Sequence, residues 1–314
     1  MAESQLISKF LSAFPQVTEK KFTVIPLDPV TANCYDPFKL QWETIRRSAH
    51  LLSPLISSIS PPISFMITDM TLMSSVNPVT ANLCLRNYVL FISSARMFSL
   101  FSYFPLIEEF GDEIRIPGLD SPIPTSSFPQ TLLDSKSFFA NNFSDNSKSI
   151  KSFNGVLINS FEGLEKESLE MLMSGKFIKG LPQVFPVGPF LPLEFEGQSS
   201  FAPLKWLEDQ RKEVIEAAWH GIPVLGWPQH GDQMINAEVI EGGNWGICMK
   251  SWGWGLNVLV KGDEIGDKIK ELMGNEMLKL EAARISEEAR KAVDVGGSRE
   301  NMFKKLFQSW NKTE

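Results

Sequence analysis

The sequence has few of the residues that usually announce a chemistry. Its three cysteines, Cys34, Cys84 and Cys248, are far apart, odd in number and without a CxxC pair. That pattern excludes a disulfide framework and a cysteine zinc site, and it reads as buried thiols of a reducing compartment. Histidines also number three (His50, His220 and His230), and no HExxH, GxSxG or Walker sequence occurs. Positive charge is in deficit: 30 Lys and Arg stand against 37 Asp and Glu, for a net charge of −7 and a pI near 5.2. A nucleic-acid or anionic-membrane surface needs clustered positive charge, so both are excluded as partners. Long apolar runs are missing as well. The most apolar stretch, Tyr88 to Ile107, carries Arg96, four serines and Pro105, short of the uncharged run of ~20 residues that a spanning helix needs. The opening MAESQLISKFLSAFPQ has an acidic third residue and no small-residue cleavage site, so it does not read as a signal peptide. The sequons at Asn142 and Asn311 are taken as chance in a cytosolic chain.

What is present is ordinary globular material, 43% hydrophobic and 21% charged, of a length that suggests about two domains. Strand patterns alternate with helical ones. Lys21–Leu27, Ile63–Asp69, Tyr88–Ser94 and Gly155–Phe161 read as strands. Helices are expected from Pro37 to about Ser53, after Ser94 to about Phe104, and over Leu164–Met173. Gly111–Lys151, rich in Pro, Ser and Asn, reads as a long surface loop with some helix. Leu181–Glu196 carries four prolines and reads as a linker. Beyond it come a helix to His220, a strand at Ile222–Pro228, a helix over about Gln233–Ile240 and a strand at Trp245–Lys250. Helices at Glu264–Met273, Glu276–Ala292 and Asn301–Trp310 close the chain. This rhythm favours a doubly wound parallel sheet, with sites at the carboxyl ends of its strands.

Several residues are candidates for chemistry, each with a plainer alternative. Gly242-Gly243 and Gly296-Gly297 lack the spacing of a phosphate cradle and read as helix caps. His50, in a helix among apolar residues, reads as structural, whereas His220 and His230 flank a strand where a site could lie. Asp69 ends an apolar strand, so its carboxylate should be paired or hydrogen-bonded, or should cap the segment after it. Asp232 and Gln233 follow a strand and open a helix. There they would suit a polyhydroxyl ligand, since Asp accepts two hydrogen bonds and Gln both donates and accepts; capping is again the alternative. Glu216, one helix earlier, reads by itself as a helix-surface residue.

The run EAAWHGIPVLGWPQHGDQ (Glu216 to Gln233) resembles the carboxyl half of the signature box of plant UDP-sugar-dependent glycosyltransferases. VFPVGP, PLKWLEDQ (Pro203 to Gln210) and GVLINSFEGLE (Gly155 to Glu165) are similar to the same family. QHGDQ, INAEVIE and KSWGWG (Lys250 to Gly255) look most like its flavonoid C-glucosyltransferases. The resemblance implies an α/β, GT-B-like fold of two Rossmann-like parallel-sheet domains. It also implies transfer of glucose from UDP-glucose to a flavonoid-like phenolic acceptor, with C-glucosylation as the expected chemistry. UDP-glucose is a co-substrate, and neither cofactor nor metal is required. On the same grounds Glu216 binds the ribose of UDP, Asp232 and Gln233 bind glucose hydroxyls, and Asp69 orients a general-base histidine. A cytoplasmic monomer is expected.

Two departures qualify the resemblance. The family's opening strand and the Gly-His loop carrying the base are not represented in this sequence. Between Gln210 and Glu213 the family has a strand-rich stretch and the first half of the signature box, with its uracil-stacking Trp and the His-x-Gly-Trp-Asn-Ser diphosphate cradle. Both domains are therefore expected to be incomplete: an acceptor domain at 1–180, a linker at 181–196, and a UDP-sugar domain at 197–314 with an internal deletion near 210–213. The activity of such a chain is doubtful, and the alternative is a catalytically dead remnant or mis-spliced product that at most binds an aromatic ligand.

Overall fold

A computed structural model gives the structure of residues 2–191, 214–253 and 258–311. Its contacts divide the chain into two compact units, one made of residues 1–62 and 191–213, the other of 63–190 and 214–314. Helices α1 (Ala2–Ala13), α2 (Pro37–Ser48) and α3 (Leu52–Ser57) belong to the first. Asp36 starts α2 by accepting the Lys39 N–H at 3.0 Å, and Pro37 fits the first turn, where no N–H is needed. The expected strand at Lys21–Leu27 does not form. Pro26 removes a donor from it and no described strand lies alongside. The segment is held instead by its Ile25 N–H, which donates to Ser48 Oγ at 2.7 Å. His50 is exposed on a 3-10 turn, so it is not a core residue.

The second unit holds the main sheet. Its strands β1 (Phe65–Asp69) and β2 (Arg86–Phe91) are joined through α4 (Met73–Asn82). Helix α5 (Ala95–Tyr103) follows β2, and a small antiparallel pair, β3 (Glu113–Ile114) and β4 (Ile123–Pro124), lies beyond it. Helices α6 (Gln130–Leu133) and α7 (Phe138–Ser149) lead to β5 (Gly155–Ile158), then α8 (Glu162–Met173) and β6 (Val184–Pro186). The strand order is β1-β2-β5-β6, all parallel, as the alternating pattern predicted. β5 is buried throughout and reads as an apolar run because both its faces are covered.

Two segments depart from the sequence expectation. Gly111–Lys151 is not a surface loop: Ile114, Ile116, Ile123 and Phe128 enter the main core beside Phe91, Phe98 and Phe101. Its apolar residues are spaced too irregularly to signal an element, yet these four reach the core. The start of the supposed linker is the fully buried edge strand β6, with Pro186 at its end, where a missing N–H is tolerated. Val187 continues from β6 into the core, its N–H donating to the Ile158 carbonyl at 3.0 Å, and the linker beyond residue 191 lies outside the described residues, as do PLKWLEDQ, the 210–213 junction and the end of KSWGWG.

From residue 214 the chain adds α9 (Val214–His220), β7 (Val224–Gly226), α10 (Gln233–Gly242), β8 (Gly246–Cys248), α11 (Gly262–Gly274), α12 (Glu276–Val293) and α13 (Ser298–Asn311). β7 and β8 pair in parallel. A Cβ on Gly246 would lie 2.4 Å from Ile240 Cγ2 and 2.5 Å from the Val224 carbonyl, so only glycine lets helix and strand approach this closely. Helix α10 serves two cores: Ile235 packs with the α5 aromatics, whereas Ala237 and Ile240 pack with Ile215, Ala218 and Trp245. No described helix is long and apolar enough to cross a membrane.

The cysteines are all free. Burial pushes the Cys248 thiol up to about 12, with Glu241 adding to the shift, and only a thiolate is an effective nucleophile. At pH 8 a thiol reagent should therefore modify exposed Cys84 promptly and Cys248 only after denaturant is added. Mass mapping of the labelled peptides checks this, and prompt labelling of Cys248 would refute the packing described.

Candidate active site

The site is built around the carboxyl end of β2. The strand stops at Phe91, and Ser94 then caps α5 by accepting the Met97 N–H at 3.1 Å. The amino end of α5, a natural anion site, is already filled from within. Glu165 breaks the helical path of α8 (φ −139°, ψ 52°), and its carboxylate accepts the Ala95 and Arg96 N–H groups at 2.9 Å each and the Ser160 hydroxyl at 2.7 Å. Burial pushes this carboxyl above the usual glutamate range, against the pull of those three donors and of the Arg96 charge. A substrate phosphate has no vacancy at this helix end.

Next to it lies Ser93, whose hydroxyl donates to Asp232 Oδ2. Asn236, one turn into α10, donates its Nδ2–H to the same oxygen at 3.0 Å. Asp232 sits at the cap position of α10 but makes no side-chain capping bond, so the capping alternative does not hold for it. Its carboxylate reaches across to the β2 end instead. Gln233 uses its side-chain carbonyl to accept the Gln229 and His230 N–H groups at 2.6 and 3.2 Å. This folds the 229–233 loop and leaves the Gln233 amide N–H groups without an acceptor among the described residues. Trp227, on the same loop and 39% exposed, meets buried Trp252 edge-on at 5.2 Å. The arrangement offers a carboxylate, a hydroxyl and amide donors at the carboxyl ends of β2 and β7, a polar set suited to a ligand rich in hydroxyls.

Behind this cluster a buried ion pair joins α5 to α10. Arg96 and Glu238 approach to 3.2 Å with side chains 10% and 9% exposed. Arg96 also donates to the Ser121 and Pro122 carbonyls at 3.2 and 3.1 Å, and Ser127 donates its hydroxyl to the other Glu238 oxygen.

The remaining candidates stand apart. Asp69 ends β1 at the same sheet edge, in register with Leu90 of β2. Its Oδ1 accepts the Thr71 N–H at 2.8 Å and the Thr71 hydroxyl at 2.5 Å, the capping alternative; no described histidine bonds to it. Glu216 is half-buried in the first turn of α9 and makes no hydrogen bond among the described residues. Its helix is anchored on α12, where Ser286 donates to the Trp219 carbonyl at 2.6 Å and Arg290 covers the Trp219 ring at 4.8 Å. Among the described residues no set of three or more His, Cys, Asp or Glu converges as a metal site would. Sequence reading missed Ser93, Glu165 and Glu238. Two signals for this network were present: Arg96 is a lone charge within the most apolar stretch, and buried charges require partners.

No protein-family model matches the chain. UDP-glycosyltransferase 708G2 of Citrus unshiu, however, is 42% identical over 418 residues, covering 99% of this chain and 88% of the relative. The chain belongs to the plant UDP-glycosyltransferases. UDP-glycosyltransferase 708D1 of Glycine max is 34% identical, covering 99% of the chain and 89% of its own length. Among solved structures, LpCGTa in complex with UDP superimposes with a TM-score of 0.85 at 31% identity, covering 99% of this chain and 90% of that one. The α/β fold is thus GT-B-like, in an enzyme family that transfers sugars. The 418-residue span matched in the Citrus relative exceeds this glycosyltransferase's 314 residues, so the relative carries internal sequence that this chain lacks.

Proposed function

We propose that this glycosyltransferase lineage moves glucose from UDP-glucose to a carbon of a flavonoid-like phenol, in the cytosol and as a monomer. The observation that carries the reading is the meeting of Asp232, Asn236 and Ser93 beside Gln233. In this reading Asp232 and Gln233 hold glucose hydroxyls, with Ser93 beside them, and Glu216 takes the ribose of UDP. Residues 1–180 serve the acceptor and 197–314 the donor. Asp69 orients the group that removes the phenol proton. The phenolate makes its neighbouring ring carbon electron-rich, and that carbon attacks the anomeric carbon as the bond to UDP breaks, with inversion. Loss of the ring C–H proton then restores aromaticity. The name LpCGTa and the family motifs QHGDQ and INAEVIE favour carbon over oxygen as the nucleophile. No metal is assigned to the step.

The donor half of this reading is tested by titration. Each hydrogen bond to a sugar hydroxyl adds a net ~0.5–1.5 kcal/mol, more to a carboxylate, and immobilising the ligand costs ~4 kcal/mol or more. UDP-glucose should bind at millimolar concentration, with saturation transferred from the protein to glucose-ring protons in the NMR spectrum. Asp232→Asn should abolish that transfer. Equal transfer in both proteins would place the glucose elsewhere.

A further inference from the structure

We infer that Arg96 and Glu238 are positioning residues: their buried ion pair sets α10 on α5 and thereby holds Asp232 against Ser93. The inference rests on the donor-site reading for its function, though its geometry stands independently. Helix α10 carries three groups that reach toward the β2–α5 junction. Asp232, at its start, meets Ser93. Ile235, one turn on, is fully buried among the α5 aromatics. Glu238, a further turn on, meets Arg96. The spacing of three residues puts all of them on one face of the helix.

The apolar contact alone leaves a helix free to slide or roll by a fraction of a turn. The ion pair does not. Arg96 is fixed at both ends, its backbone N–H on Glu165 and its guanidinium on the Ser121 and Pro122 carbonyls. Glu238 is fixed from two sides, by Arg96 and by Ser127. A planar fork against a carboxylate tolerates little displacement. With both partners buried, breaking one strands the other. The pair therefore specifies the register of α10, and its effect is felt two turns away at the Asp232 carboxylate.

The test asks whether Glu238 controls the contact between Ser93 and Asp232 and not merely the stability of the fold. Ser93→Ala, Asp232→Asn and the double variant are unfolded in urea, both with Glu238 intact and with Glu238→Gln. With Glu238 intact, the two substitutions should be non-additive by about five- to tenfold in the unfolding equilibrium constant, as for residues in contact. With Glu238→Gln the non-additivity should vanish. Four proteins destabilised equally, with the coupling intact, would show a purely structural ion pair and overturn the inference; so would the absence of coupling when Glu238 is intact. If Glu238→Gln does not fold, Ser127→Ala, which removes one of the two groups holding Glu238, should reduce the same coupling, and an unchanged coupling overturns the inference. Saturation transfer to UDP-glucose separates the two readings. Coupling that depends on Glu238, together with transfer that ignores Asp232→Asn, keeps the positioning role and removes the donor site.

Discussion

Glu165→Ala is expected to lower the unfolding free energy by about 3 kcal/mol or more. The carboxylate accepts three donors, the Ala95 and Arg96 N–H groups and the Ser160 hydroxyl, in a fully interior position. Removing it leaves all three unpaired, and each buried, unsatisfied donor costs roughly 1–3 kcal/mol. The amino end of α5 also loses the negative charge facing its dipole. Glu165→Gln should fall between: one oxygen can still serve Ala95 and Ser160, while the amide NH₂ confronts the Arg96 N–H. The pH dependence has a definite sign. Because burial raises the folded carboxyl, the folded state holds this proton more tightly than the unfolded chain does. This group's contribution therefore falls as pH rises from the ordinary value of 4.5 to its raised folded value. Glu165→Gln should remove that slope. Urea unfolding across pH measures both effects, and a loss under about 1 kcal/mol for Glu165→Ala would mean that water or a neighbour replaces the carboxylate.

The sheet was legible because its strands are short apolar runs separated by helical periodicity; Ile63–Asp69 and Gly155–Phe161 needed nothing else. Val184–Pro186 was read as linker because proline density is a local signal, whereas its pairing with β5 is a non-local one. The same distinction runs through the site. Asp232 and Gln233 were found by their position after a strand and by their resemblance to the signature box. Ser93, 139 residues away in sequence, carries no pattern that ties it to Asp232. Glu165 was legible as part of GVLINSFEGLE but not as the occupant of a helix end, since the break in α8 that aims it has no sequence mark. The resemblance supplied roles, and the structure supplied partners: Asp69 bonds to Thr71 and not to a histidine, and Glu216 is half-buried without a hydrogen bond among the described residues.

Inserting, between Gln210 and Glu213, the first half of the signature box that the family resemblance implies should raise glucosyl transfer by this chain at least ~10²- to 10³-fold, the effect typical of removing or restoring one set of preorganised charge-stabilising donors. The departing UDP develops negative charge on its diphosphate as the bond to glucose breaks. The amino end of α5 is occupied by Glu165, so that helix end cannot substitute for the His-x-Gly-Trp-Asn-Ser cradle implied by the family resemblance. In the proposed reading Asp232 and Gln233 hold the sugar and gain little as the leaving group departs, so they would raise affinity without much lowering the barrier. The inserted chain should therefore gain in kcat as well as in UDP-glucose affinity, which moves from millimolar toward micromolar. The assay uses a phloretin-like acceptor, with acid hydrolysis of the product. A carbon-linked glucoside survives acid and an oxygen-linked one releases glucose, so the same experiment decides the nucleophile. Turnover by the uninserted chain equal to that of the inserted one would show that its own residues already stabilise the diphosphate. An acid-labile product would assign the phenolic oxygen as the nucleophile.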